Sequence, residues 1–210
     1  MTGTEPSLHP QVRKALQAVA FLYDHKKVGD VGALGFRRST DLTKLLSCLD
    51  WLIEHHLMVP GQSTFLDLGC ADGRVNALLS YLVKLSAGIE QDEWTLDEYE
   101  PLKAELDGVL SEEHLPLPPN NIFLFPGDSM DTALHEIIRQ KTGTGFEQFD
   151  LFYTYLTMQE EFAGMIAEKA RSGAVFMVYG LGRILPRFRG LRLLTPQGAL
   201  EGVLALYRKE

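Results

Sequence analysis

Apolar positions recur with two different periods along this chain, and the change from one to the other comes near residue 64. Before it, "PQVRKALQAVAFLYDH" places Val12, Leu16, Val19, Ala20 and Leu22 on roughly one face at helical spacing. "STDLTKLLSCLDWLIEHHLM" repeats the pattern, with Ser39 or Thr40 placed to cap its first turn, and "VPGQS" ends it. Between the two helices, "KKVGDVGALGFRR" mixes three glycines with charged residues and reads as a flexible loop.

From Thr64 onward, short apolar runs alternate with helical stretches. "TFLDLG", "SAGIE", "NIFLFPGD", "FDLFYTYL" and "GAVFMVYG" predict strands. "GRVNALLSYLVKL", "DEYEPLKAELDGVL", "MDTALHEIIRQKT" and "TMQEEFAGMIAEKARS" predict the helices between them. Strand-helix alternation builds a parallel sheet covered on both faces. The end of the chain breaks the rhythm: "GLRLLTPQGALEGVLALYRK" reads as two strands joined by a Pro/Gly turn. The expected fold is α/β, a doubly wound Rossmann-like sheet, mostly parallel with an antiparallel C-terminal strand pair. Residues 1–60 form an N-terminal helical extension with a cap loop, and residues 61–210 form the α/β domain.

Composition narrows the partners. The 210 residues are 45% hydrophobic and 23% charged, which suits one well-packed domain. A net charge of -8 repels a phosphate backbone on average, so nucleic acid is disfavoured as the main partner. Cys48 and Cys70 lack ligand spacing, which argues against a disulfide framework and a structural zinc. Adjacent His55 and His56 point apart on a helix and read as a helix-end feature. The stretch "MTGTEPSLHPQVRK" has no signal-peptide core, and no apolar run approaches the ~18 to 20 residues that span a bilayer. A cytoplasmic protein without membrane attachment is expected.

The candidate chemistry lies in "LDLGCADGR". In open α/β sheets ligands bind beyond the carboxyl ends of the strands, beside the first one. Glycine lets the backbone approach such a ligand, and the helix from Arg74 aims its free amides there. A dinucleotide turn wants G-x-G-x-x-G; here Gly69-x-Ala71-x-Gly73 is followed by Arg74, a poor seat for a pyrophosphate. Glu90, ending the second strand of the alternating region, is placed to accept from ribose hydroxyls; the bland reading is a solvated strand-end charge. Asp128 suits an adenine amino group or, equally, a helix N-cap. Asp67 is placed to brace the loop or to reach an amino group on the ligand.

"LDLGCADGR", "GIEQDE", "PGDSMD" and "FDLFYTYL", in this order, resemble the successive motifs of class I S-adenosylmethionine-dependent methyltransferases over roughly residues 64 to 207. Asp67, Gly69 and Gly73 match that family's glycine loop, and Ala71 stands at its middle glycine. The resemblance implies that Gly69, Cys70, Ala71, Asp72 and Gly73 wrap the methionine portion of the cofactor, Glu90 the ribose, and Asp128 with Ser129 the adenine, with Gln91 against its ring. The fourth strand, from Tyr153, would face the transferred methyl, with Thr154 and Tyr155 lining the acceptor site. S-adenosyl-L-methionine would be the donor and S-adenosyl-L-homocysteine the product, without a metal. The chain is also similar, more weakly, to small seven-stranded protein-lysine methyltransferases, in which a segment like "GFRRST" closes over the cofactor; Phe36 and Ser39 would then reach it. Thr157 departs from that group, which often has proline there. The acceptor is left between a protein lysine and a small molecule. The alternatives are a nicotinamide-dependent oxidoreductase and a non-catalytic module that binds the cofactor. If residues 26–38 order on cofactor binding, limited proteolysis there slows when the cofactor is added; equal cleavage with and without it would contradict the expectation.

Overall fold

The computed structural model describes residues 8–32, 35–37, 39–182 and 184–210, with the side chains of 30–32 and 35–37 left aside. Two helices open the chain, α1 (Pro10–Asp24) and α2 (Leu42–Glu54). The described part of the segment between them includes an antiparallel strand pair, β1 (Val28–Gly32) and β2 (Gly35–Arg37), where the sequence reads as a flexible loop. Its pairing is local and glycine-rich, so apolar periodicity gives no sign of it. The cap of α2 also differs from expectation. Neither Ser39 nor Thr40 takes that place; Asp41 does, its carboxylate accepting from the Lys44 amide at 2.9 Å. Asp24 at the end of α1 accepts from the Leu42 and Thr43 amides, so each helix end fixes the other.

The remainder builds one mixed sheet. Its strands are β3 (Thr64–Leu68), β4 (Leu85–Glu90), β5 (Ile122–Pro126), β6 (Leu151–Tyr155), β7 (Val175–Tyr179), β8 (Leu191–Leu193) and β9 (Leu204–Lys209). They lie in the order β5-β4-β3-β6-β7-β9-β8. β3 pairs parallel with both β4 and β6, and β9 pairs antiparallel with β7 and β8, as the break in strand-helix rhythm predicts. The crossovers are α3 (Arg74–Ser80), the pair α4 (Glu93–Leu96) and α5 (Tyr99–Glu112), α6 (Thr132–Thr142) and α7 (Gln159–Lys169). The chain runs outward from β3 to β4 and β5 and then crosses back to β6 on the other side of β3, and the resulting crevice lies at the carboxyl end of β3.

Alternation along the strands divides the core in two. Phe65, Leu151, Tyr153, Val175, Met177, Leu204 and Leu206 join α1, α2 and α3 in one apolar cluster. Leu66, Phe152, Phe176, Val178 and Tyr207 join α6 and α7 in the other. A strand buried on both faces reads as a continuous apolar run, which is why these strands are visible in the sequence. The first two helices share a core with the sheet, and so the cap they form has a fixed seat above the crevice.

Close approach of β4 to the loop after β3 depends on Gly88. A Cβ there would lie 2.7 Å from Asn76 Oδ1 and 2.8 Å from the Cys70 side chain. Gly88→Ala is expected to destabilise the fold by about 1–3 kcal/mol through overpacking, read from the denaturant midpoint. An unchanged midpoint would mean that loop and helix yield freely.

Candidate functional site

Asp67 is the fourth residue of β3, between Gly88 of β4 and Tyr153 of β6 in register. It shares its strand face with Phe65, so it belongs to the side covered by the cap. It is 1% exposed, and its Oδ1 has no hydrogen-bond partner. Burial pushes its carboxyl well above the usual carboxylate range, and the charges of Glu90 and then Asp72 push it further. Few buried carboxylates are left in this condition without a ligand to answer them.

The loop after β3 turns tightly. Gly69 (φ 107°), Ala71 (φ 51°) and Gly73 (φ 72°) all have positive φ. At Gly69 a Cβ would meet nothing within 4 Å, so bare backbone faces open space there. At Gly73 a Cβ would lie 2.7 Å from the Tyr99 ring and 2.8 Å from Leu124, so this position admits glycine only. Ala71 takes a left-handed conformation that disfavours a side chain, at a position where the resembled family mostly has glycine. Glu90, 2% exposed at the end of β4, holds the loop: one carboxylate oxygen accepts from the Ala71 amide at 2.8 Å and the other from the Asp92 amide at 3.0 Å.

Asp67, Gly69, Cys70, Ala71, Glu90 and Gln91 line one wall of a cleft with about 820 Å³ of empty space, its open mouth included. Asp128 and Ser129 close one end, and Tyr153, Thr154 and Tyr155 form the floor beneath Ser39 and Thr40 of the cap. Asp72 and Gly73 lie outside the lining: Asp72 is fully buried against Arg74, and Gly73 is the turn that starts α3. The Phe36 side chain falls outside the described residues. Asp128 is not the helix cap; Asp131 fills that role, accepting from the Ala133 amide at 2.8 Å. The Asp128 carboxylate accepts from the Met130 amide at 2.8 Å, which fixes it at the cleft end. Trp94 is 85% exposed and does not flank the cleft. His55 caps α2 and stacks on Trp51 at 3.8 Å, a helix-end role.

The floor is uncharged. The buried Tyr153 hydroxyl meets Thr40 Oγ1 at 2.5 Å, and burial with the nearby Asp67 charge pushes its phenol well above its ordinary range. Thr154, fully buried, offers its hydroxyl to the carbonyls of Thr157 (3.1 Å) and Leu68 (3.3 Å), bracing β6 against β3. Tyr155 stacks on Tyr179 at 5.4 Å. After it, Leu156 (φ 50°) and Met158 (φ 46°) are left-handed without being glycine, and Thr157 between them lines the cleft with Met158 and Phe162. Arg74, Thr40, Thr157, Met158 and Phe162 were not foreseen as site residues. The sequence signal for Arg74 was its bulk at the sixth position of the loop; nothing in periodicity marks the others.

No protein-family model and no curated protein sequence matches this chain. Solved structures do match it by shape. A putative methyltransferase, yhhF, from Escherichia coli aligns at 16% identity and a TM-score of 0.50, covering 87% of this chain and 90% of that one. This chain has the class I methyltransferase fold. A mutant form of MtNAS aligns at 11% identity and 0.52, covering 95% and 70%. An RNA methyltransferase from Salinibacter ruber, solved with S-adenosyl-L-homocysteine, aligns at 18% identity over 82% and 92%, but its TM-score of 0.49 is too low for any inference. At these identities the likeness to the methyltransferases is one of fold.

The pH dependence of Asp67 comes from its burial. Its carboxyl in the fold lies above the unfolded value of about 3.9, so the fold binds this proton more tightly than the unfolded chain does. The contribution is therefore complete below about pH 4 and is lost as pH rises toward the folded value. Asp67→Asn is expected to raise the denaturant midpoint of the ligand-free protein at pH 7 and to leave it nearly unchanged at pH 4. A lower midpoint at pH 7 would show that the carboxylate is satisfied in the fold.

Proposed function

We propose that this chain is an S-adenosylmethionine-dependent methyltransferase. The observation that carries the reading is the buried Asp67, one of its oxygens without a partner, in the lining of a cleft that it shares with Glu90. A cationic ligand offers this carboxylate the charge it lacks, and bare backbone at Gly69 makes room for it. A pyrophosphate would face the same carboxylates, while the Arg74 guanidinium is engaged by Asp72, which counts against a nicotinamide dinucleotide.

In this reading Asp67 faces the ammonium of the cofactor, Glu90 its ribose hydroxyls, and Asp128 and Ser129 its adenine, with Gln91 along the ring. When bound, the cofactor supplies a methyl group already activated on a sulfonium. The chain then has two tasks, to orient the acceptor in line with that methyl and to exclude water. Tyr153, Thr154 and Tyr155 form the floor of the acceptor site, and the Thr40–Tyr153 bond closes its roof. A protein lysine and a small molecule both fit this uncharged floor. The expectation against nucleic acid rests on net charge alone, and the fold neighbours give it no support. The non-catalytic alternative draws on the same floor, where the Thr154 hydroxyl is committed to backbone carbonyls. Turnover with an acceptor pool separates these readings.

Calorimetric titration with S-adenosylhomocysteine tests the cofactor. Micromolar binding is expected for the wild type, weakened at least about tenfold, or 1.4 kcal/mol, in Glu90→Ala. Absence of binding by the wild type would overturn the proposal.

A further inference from the structure

Arg74 stands at the first helical position of α3, where a cation meets the positive end of the helix dipole, and it is only 3% exposed. Both features are unfavourable taken alone, so its partners must account for it. Nε and Nη2 grip the Asp72 carboxylate at 2.9 and 2.8 Å. Nη1 donates to Ser39 Oγ at 2.9 Å and Nη2 to the Lys26 carbonyl at 3.3 Å. The guanidinium carbon lies 5.7 Å from the centroid of the Tyr23 ring. One side chain thus joins the glycine loop, the end of α1 and the start of the second helix.

The two ends of this network meet at the cleft. Asp72 lies between Ala71 and Gly73, both left-handed, so gripping its carboxylate holds the turn that exposes the Gly69 backbone. Ser39 and the neighbouring Thr40 line the same cleft from the cap side. We infer that Arg74 is a positioning residue for the cofactor: acting through Asp72 and Ser39, it makes the glycine loop and the Ser39 segment one unit, so that cofactor binding and the ordering of that segment are coupled. The inference rests on the cofactor reading above. Coupling of this kind is reciprocal: a ligand that orders the loop also tightens the Ser39 segment, and loosening that segment weakens the ligand.

Ser39→Ala tests it, because the variant removes one hydrogen bond from the network and leaves the buried ion pair intact. Titration with S-adenosylhomocysteine is expected to show affinity reduced about three- to tenfold. Hydrogen exchange is expected to show that this ligand protects amides 39–45 in the wild type and protects them less in the variant, with β7 and β9 alike in both. Arg74→Lys, which keeps a charge for Asp72 but has no fork to reach Ser39 as well, should show the same two losses while remaining folded. If Ser39→Ala binds as the wild type does, with the same protection, the coupling is overturned and the cofactor reading stands. If Arg74→Lys unfolds while Ser39→Ala is unchanged, Arg74 serves only the fold. If the wild type itself does not bind, both readings fall.

Discussion

Asp67, Asp72 and Glu90 are all buried around one turn at the carboxyl ends of β3 and β4, and the arrangement of that turn depends on how each carboxylate is answered. Asp72 takes the guanidinium of Arg74 in a two-point grip. Glu90 takes two backbone amides, which binds the glycine loop to the next strand. Asp67, a residue of the cleft lining, keeps one buried oxygen without a partner. A carboxylate buried in this way opposes folding above its unfolded pKa, so the surrounding core must carry it. That core is available because the cap helices pack directly on the same sheet face.

The division of labour also accounts for the neutral side of the cleft. Charge is concentrated where a cofactor would lie, while the floor under Thr40 is uncharged, with the Tyr153 and Thr154 hydroxyls already bonded. Under the proposed function such a floor would orient an acceptor by shape and by the exclusion of water. The two left-handed residues Leu156 and Met158 sit at its edge, where a tolerated backbone strain is a recurring mark of a functional turn.

Most of the sheet is legible in the sequence, because strands buried on both faces appear as unbroken apolar runs and the reversed β9 comes after a visible break in rhythm. Glu90 and the glycine turn are legible for a related reason: a parallel strand must leave the sheet through a turn into its crossover helix, so its last residues face the crevice. Other features depend on competition between neighbours that share the same chemistry. In "RRSTDL" three residues suit an N-cap, and Asp41 wins because Asp24, at the end of another helix, holds the Leu42 and Thr43 amides. In "GDSMD" two aspartates compete, and the one nearer the helix caps it, leaving Asp128 to the cleft. Arg74 appears in the sequence only as an obstacle to a pyrophosphate. Its pairing with Asp72 two residues away has no helical periodicity, since the left-handed turn at Gly73 creates it. The β1–β2 pair is equally hidden, its short strands carrying no apolar alternation.

Selection of a ligand by its positive charge is the role proposed for the buried Asp67. The most direct test compares S-adenosylhomocysteine with its analogue lacking the amino group, each titrated into the wild type and into Asp67→Asn. Loss of the amino group is expected to weaken wild-type binding by at least about tenfold, and this difference is expected largely to disappear in the variant. Equal binding of the two ligands by the wild type would contradict it.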